Sequence, residues 1–361
     1  MGFCFFFSTE TQRAQSFTET FLLLCVLCIS VLKKYYIDKQ LIIKEITFFI
    51  IKPLLYQKKV FFCSVLIHHY TNSIIQIKNI MIQLKQINFG YSKKRLLFEN
   101  LTLELSRGHI YGLLGKNGAG KTTLLKLISG LRFISSGSAL VLNENPALRK
   151  PNMLQEITFL PEEIYAPALK VKEFVAAYAP FYPNFNHEQF QEYLDAFEIF
   201  DQELKIDKMS FGQKKKVMIS FSLACNTKIL IMDEPTNALD IPSKAIFRKL
   251  MASIATDDRI VIISTHQVRD LHSLIDAIII LDSGKIILNE SAETITEKLA
   301  FEIMEDIDDL TPMLYQEDSI RGKLVVHENT QQKETKLDIE LLFNAVMLNK
   351  EKIQHIFNSK K

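Results

Sequence analysis

The residues best suited to chemistry in this chain are Gly115-Lys-Asn-Gly-Ala-Gly-Lys121-Thr122-Thr123, a glycine, four residues, then Gly-Lys-Thr. That spacing is the phosphate-binding loop pattern. Gly115, Gly118 and Gly120 accept backbone angles closed to other residues, so that N–H groups through Asn117 and Ala119 crowd around phosphate oxygens. Lys121 is then the cation for the outer phosphates of a nucleotide, and the Thr122 hydroxyl is a ligand for Mg²⁺. A second cluster follows 112 residues after Lys121, where Asp233 and Glu234 end the apolar run Lys228-Ile-Leu-Ile-Met. A buried parallel strand delivers its last residues to the crevice where ligands bind in open α/β sheets. Asp233 would hold Mg²⁺ there, directly or through water, and Glu234 would polarise an attacking water as a general base. Two acids after a strand could equally be solvated surface; their pairing with the loop favours chemistry.

Such residues need elements to hold them. His109–Leu114 reads as a buried strand and Leu124–Leu131 has helical spacing, so strand, loop and helix frame the motif. The helix then points its positive dipole end at the anion. Arg259–Ile263 is another apolar strand, followed by Ser264-Thr265-His266. Val171–Tyr182 and His187–Phe200 carry apolar residues at helical spacing and are separated by Pro183-Asn-Phe-Asn.

Between loop and acid pair lies Met209-Ser210-Phe211-Gly212-Gln213-Lys-Lys-Lys216, with Ser210 placed 23 residues before Asp233. A serine hydroxyl and a glycine N–H at a helix start form a second phosphate clamp; the plainer reading is a capped helix start with a basic first turn. Together with the two nucleotide motifs, the run resembles the Leu-Ser-Gly-Gly-Gln signature of the ATP-binding cassette (ABC) ATPases. The resemblance covers about Ile82–Leu299. It implies an α/β, P-loop NTPase fold: a RecA-like core, an antiparallel β arm near Gln83–Leu105 and a helical subdomain between Glu162 and Ser210. It also implies ATP hydrolysis with Mg²⁺. Ser210, Gly212 and Gln213 would clamp ATP held by another subunit, and Asn237-Ala-Leu-Asp240 would touch that subunit. Tyr91 would stack on adenine, and His266 resembles the switch histidine at the γ-phosphate. The sequence departs from the family pattern twice. Phe211 replaces the first signature glycine, and Glu162, in Phe159-Leu-Pro-Glu-Glu163, replaces a glutamine that links the metal site to a membrane partner.

Composition divides the chain. Residues 1–80 contain nine Lys/Arg against four Asp/Glu, with one Gly, one Pro and four of the five cysteines. The remaining 281 residues hold 34 and 37 such charges. The first segment has too little turn punctuation for a folded domain, and Phe21–Leu32 falls short of the ~20 apolar residues of a spanning helix. Cys25 and Cys28 lack a second pair for a zinc site. Met81 reads as a natural beginning, with residues 1–80 an extension foreign to the working protein; the competing reading is an amphipathic segment on a membrane surface. After Leu299 comes a small appendage: an acidic run at Glu305–Asp309, a strand at Lys323–Glu328 and one amphipathic helix over Leu337–Phe357.

A net charge of +2 gives no nucleic-acid footprint. One copy of each motif means that two chains complete the sites, as a homodimer or a heterodimer with a related cassette. The resemblance implies the energy-supplying subunit of a transporter, peripheral on the inner face of the cell membrane beside an integral-membrane permease. The runs Phe159-Leu-Pro-Glu-Glu163, Ser210-Phe-Gly-Gln-Lys-Lys-Lys216 and Leu239-Asp-Ile-Pro242 resemble export-type, multidrug-like members more than importers. The alternative within the family is a soluble ATPase acting on ribosomes or DNA, whose members generally carry two cassettes or a long coiled-coil insertion. A non-catalytic module conflicts with the intact Lys121, Asp233, Glu234 and His266.

Overall fold

The computed structural model describes residues 80–92, 95–266, 271–304, 313–320 and 322–358, all within the unit Ile75–Lys361. The expectations for residues 1–79 and for the acidic run at 305–309 lie outside the described residues.

Three sheets are built from twelve strands among the described residues. The first is antiparallel, with β1 (Ile80–Phe89) between β2 (Phe98–Ser106) and β4 (Ser136–Val141), and it is the expected arm. The second has six strands in the order β5-β6-β7-β3-β8-β9, namely Ile157–Leu160, Ile229–Asp233, Ile260–Ser264, His109–Leu114, Ala277–Asp282 and Lys285–Ser291. Its first five strands are parallel and β9 pairs antiparallel at the edge. Runs such as Ile229-Leu-Ile-Met-Asp233 and Ile260-Val-Ile-Ile-Ser264 are buried throughout. Continuous β-branched burial is what a parallel sheet covered on both faces demands.

The alternation of the strands sorts the core into two layers. Leu230, Met232, Val261 and Ile263 face one cluster; Ile229, Ile231, Ile260 and Ile262 face the other. The second cluster is closed by the arm and by α1 (Lys121–Ile128). A short turn, α2 (Pro151–Leu154), precedes β5. The first cluster is closed by the expected helices α3 (Val171–Tyr178) and α4 (His187–Ala196), by α5 (Phe211–Ala224) and by α6 (Ile241–Ile254). Pro180 ends the first of these early and converts its tail to a 3₁₀ turn over Ala179–Phe181.

The C-terminal residues form the third sheet, with β12 (Gly322–Glu328) between β10 (Leu299–Met304) and β11 (Met313–Ser319). The short α7 (Ala292–Lys298) leads into it. Phe301, Leu314, Val326, Leu342 and Val346 join the same cluster that covers the central sheet. The single helix expected over Leu337–Phe357 is two, α8 (Ile339–Leu348) and α9 (Lys350–Asn358). Asn349 leaves helical geometry at φ −129° and ψ 48°. Its side-chain amide donates to the Leu314 carbonyl at 2.5 Å, a tertiary bond that outweighs continuation of the helix.

Cys225 caps α5 and is buried, and that burial pushes its thiol up to about 12. Its thiolate fraction at pH 8 is then about 10⁻⁴. Alkylation of the folded protein at pH 8 is expected to miss Cys225, and alkylation in denaturant to modify it, as read by peptide mass mapping. Labelling of the native protein at Cys225 would contradict the burial.

Candidate functional site

The ends of β3, β6 and β7 open into a cleft of about 910 Å³. Eleven of the residues singled out in the sequence line it: Tyr91, Asn117, Gly118, Gly120, Lys121, Thr122, Thr123, Glu162, Asp233, Glu234 and His266. Gly115, Ala119, Ser210, Gly212 and Gln213 do not.

The loop after β3 is shaped by three glycines, for two reasons. Gly118 and Gly120 have φ of 80° and 109°, as expected. Gly115 does not need a positive φ; a Cβ there would stand 2.4 Å from the Leu281 carbonyl, so its reason is close approach to β8. The Lys121 ammonium donates to the Gly115 carbonyl at 2.8 Å and to the Lys116 carbonyl at 3.4 Å. The cation is thereby held over the loop at the start of α1.

Asp233, 2% exposed, accepts the Thr122 hydroxyl at 2.6 Å on one carboxylate oxygen and the Ser264 hydroxyl on the other. A hydroxyl and a carboxylate in contact can supply two of the six donors of an octahedral Mg²⁺ site. Among the described residues no group of three or more His, Cys, Asp or Glu side chains could hold a metal alone. Mg²⁺ is usually held through one or two carboxylates, with water and phosphate oxygens completing its shell.

Glu234 directly follows β6. Its backbone turns left-handed, at φ 46°, while its N–H donates to the Ser264 carbonyl at 3.1 Å. Left-handed backbone on a residue with a side chain is strained and collects at functional positions. His266 Nδ1 lies 2.7 Å from one Glu234 carboxylate oxygen; the other is buried and has no hydrogen-bond partner. Glu162 approaches from the loop after β5, its carboxylate accepting the Asn237 amide at 3.0 Å. The Tyr91 ring is exposed but not loose. Its hydroxyl shares a 2.8 Å hydrogen bond with Thr123, and the Arg132 guanidinium lies 5.6 Å from the ring centroid.

Ser210 begins α5 as its N-cap. Its hydroxyl accepts the Gln213 N–H at 3.2 Å, and the Gln213 side chain accepts the Ser210 N–H at 3.0 Å, a reciprocal capping box. Phe211 is half exposed beside it. A Cβ on Gly212 would come within 3.1 Å of the Ala238 carbonyl.

Arg95, Leu96, Leu97 and Ser283, which no sequence motif marks, also line the cleft. The plainer reading of the run after Ser210, a basic first turn, does not describe its middle lysine. Lys215 is instead fully buried, its ammonium donating to the Glu162 and Pro161 carbonyls at 3.3 and 3.4 Å. Burial pulls its pKa down to about 8, against the opposing pull of Glu162, Asp233 and Glu234. Helical phase does not single it out, since every residue from Val217 to Ala224 is buried as well.

Residues 98–237 match the family model described as ABC transporter. The chain is 28% identical over 209 residues to the ABC transporter ATP-binding protein YtrB of Bacillus subtilis, covering 57% of this chain and 70% of that protein. It is 30% identical over 219 residues to the methionine import ATP-binding protein MetN of Carboxydothermus hydrogenoformans, covering 57% and 65%. A solved structure of the ATP-binding subunit of an ABC transporter shares the fold, with a TM-score of 0.54 at 23% identity over 60% of this chain and 91% of that one.

Proposed function

We propose, for a chain that belongs to the ABC transporter family and carries its ATPase cassette, that the cleft binds and hydrolyses MgATP to drive a separate membrane permease. Residues 81–299 are the ATPase domain in this reading and residues 300–361 its appendage. The observation that carries the reading is the convergence of Lys121, the Thr122–Asp233 contact and the Glu234–His266 pair in one cleft.

The roles follow from the geometry. Loop amides and Lys121 hold the phosphates, and Tyr91, pinned through Thr123, presents a ring to the base. Thr122 and Asp233 hold Mg²⁺, which neutralises phosphate charge when bound; Glu162 reaches the same place from the neighbouring loop. The free carboxylate oxygen of Glu234 accepts the proton of the attacking water, while His266 fixes the other oxygen and faces the terminal phosphate.

Ser210, Gly212 and Gln213 stand outside their own chain's cleft, which supports their use on ATP held by a second copy. No described helix is long and apolar enough to cross a membrane; the transport path then belongs to a permease docked near Glu162 and the helices before Ser210, on the inner face of the cell membrane. For direction we take export, on the resemblance of the signature region to export-type members; the similarity to a protein named for methionine import is the observation favouring the reverse.

The test is assembly. Glu234→Gln protein is expected to run as a monomer without nucleotide and as a dimer with ATP, and Ser210→Arg added to it should abolish the shift. A protein that stays monomeric with ATP sinks the two-chain reading.

A further inference from the structure

The buried Lys215 has no part in the roles above. Among the described residues two lysines are buried, and Lys121 is accounted for by the loop. A fully buried ammonium is costly unless it is paired and hydrogen-bonded, and an apolar side chain of similar shape often serves stability as well or better. A lysine in the middle of α5 therefore needs a reason other than filling space.

Its surroundings give one. The ammonium donates to two successive carbonyls, Pro161 and Glu162, in the loop that brings Glu162 to the cleft. The same loop is also held by Asn237, three residues after Glu234, which donates to the Glu162 carboxylate. Lys215 lies five residues after Ser210 on one unbroken helix, about 7.5 Å along its axis. Three pieces of the site are thus joined at one buried cation: the helix start bearing Ser210, the Glu162 loop and the acidic turn after β6.

We infer that Lys215 is a positioning residue, which ties the Glu162 loop to the signature helix so that the two move as one body. The inference rests on the ATPase reading for its kinetic consequence and on geometry alone for the tether. When α5 shifts, the carbonyls at 161 and 162 follow.

Two variants test this. Lys215→Met keeps length and removes donors and charge; Lys215→Arg keeps both. In Lys215→Met, kcat for ATP should fall at least about tenfold while KM and the Kd of a fluorescent ATP analogue stay within about threefold. Lys215→Arg should remain within about threefold of wild type in kcat. Independently of hydrolysis, cleavage of the nucleotide-free protein after Glu162 or Glu163 by a glutamate-specific protease should be at least about threefold faster in Lys215→Met. A folded Lys215→Met with wild-type kcat and wild-type cleavage overturns the inference. So does a joint loss of kcat, nucleotide affinity and Tm, which marks a structural lysine only. Should Lys215→Met not fold, a folded Lys215→Arg with kcat reduced more than tenfold overturns it as well. If the wild-type protein does not hydrolyse ATP, the ATPase reading fails, and the cleavage comparison still decides the tether.

Discussion

Glu234→Gln is expected to lower ATP turnover by about 10²–10⁴ while leaving ATP binding in place. The carboxylate stands at the mouth of β6, one oxygen held by His266 and the other buried without a partner. That second oxygen has lone pairs available to a water's proton. An amide keeps the shape and loses the basicity, and the Thr122–Asp233 contact one residue away is untouched. Single-turnover hydrolysis and titration with a fluorescent ATP analogue separate the two effects. Turnover within a few-fold of wild type would remove Glu234 from the role of base.

Lys121→Ala should fail at the other step. Lys121 is 8% exposed and its ammonium is anchored to the Gly115 carbonyl, so it meets phosphate with little bulk water to give up. Truncating one partner of a buried, hydrogen-bonded charge pair costs about 2–5 kcal/mol, a loss of roughly 30- to 5,000-fold in affinity. Calorimetric titration with ATP should show that loss, and the Tm should stop rising on addition of ATP. An unchanged Kd would show that the loop amides alone hold the nucleotide. The two variants together divide the site: one loses the chemical step with ligand bound, the other loses the ligand.

How much of this was legible in the sequence depended on whether the signal was local. The strand before Gly115, the strand ending at Asp233 and the capped start of α5 are short-range patterns, and they appear where the residues place them. The break at Asn349 was not legible, because its cause is a carbonyl 35 residues away. Backbone freedom, the reason the sequence suggests for Gly115, is not the one the fold imposes: the constraint is the approach of β8, a contact across the sheet. Lys215 was the larger miss. Three consecutive lysines look like solvated surface, and only the packing of α5 against the loop after β5 reveals that the middle one points inward.

The capping box at Ser210 has a consequence for recognition. The hydroxyl oxygen is engaged as an acceptor by the Gln213 N–H, which leaves its hydrogen uncommitted. Nothing in the helix has to be broken for that hydrogen to be offered to an anion arriving from another molecule. In the proposed two-chain arrangement the bond that finishes the helix would also aim the donor, so that local folding and the reading of an incoming phosphate would be one requirement met by one atom group. An aspartate would satisfy the first half of that requirement and defeat the second, since it caps well but answers an anion with a charge of the same sign. Serine is therefore the smallest side chain that both closes the helix and leaves a hand extended.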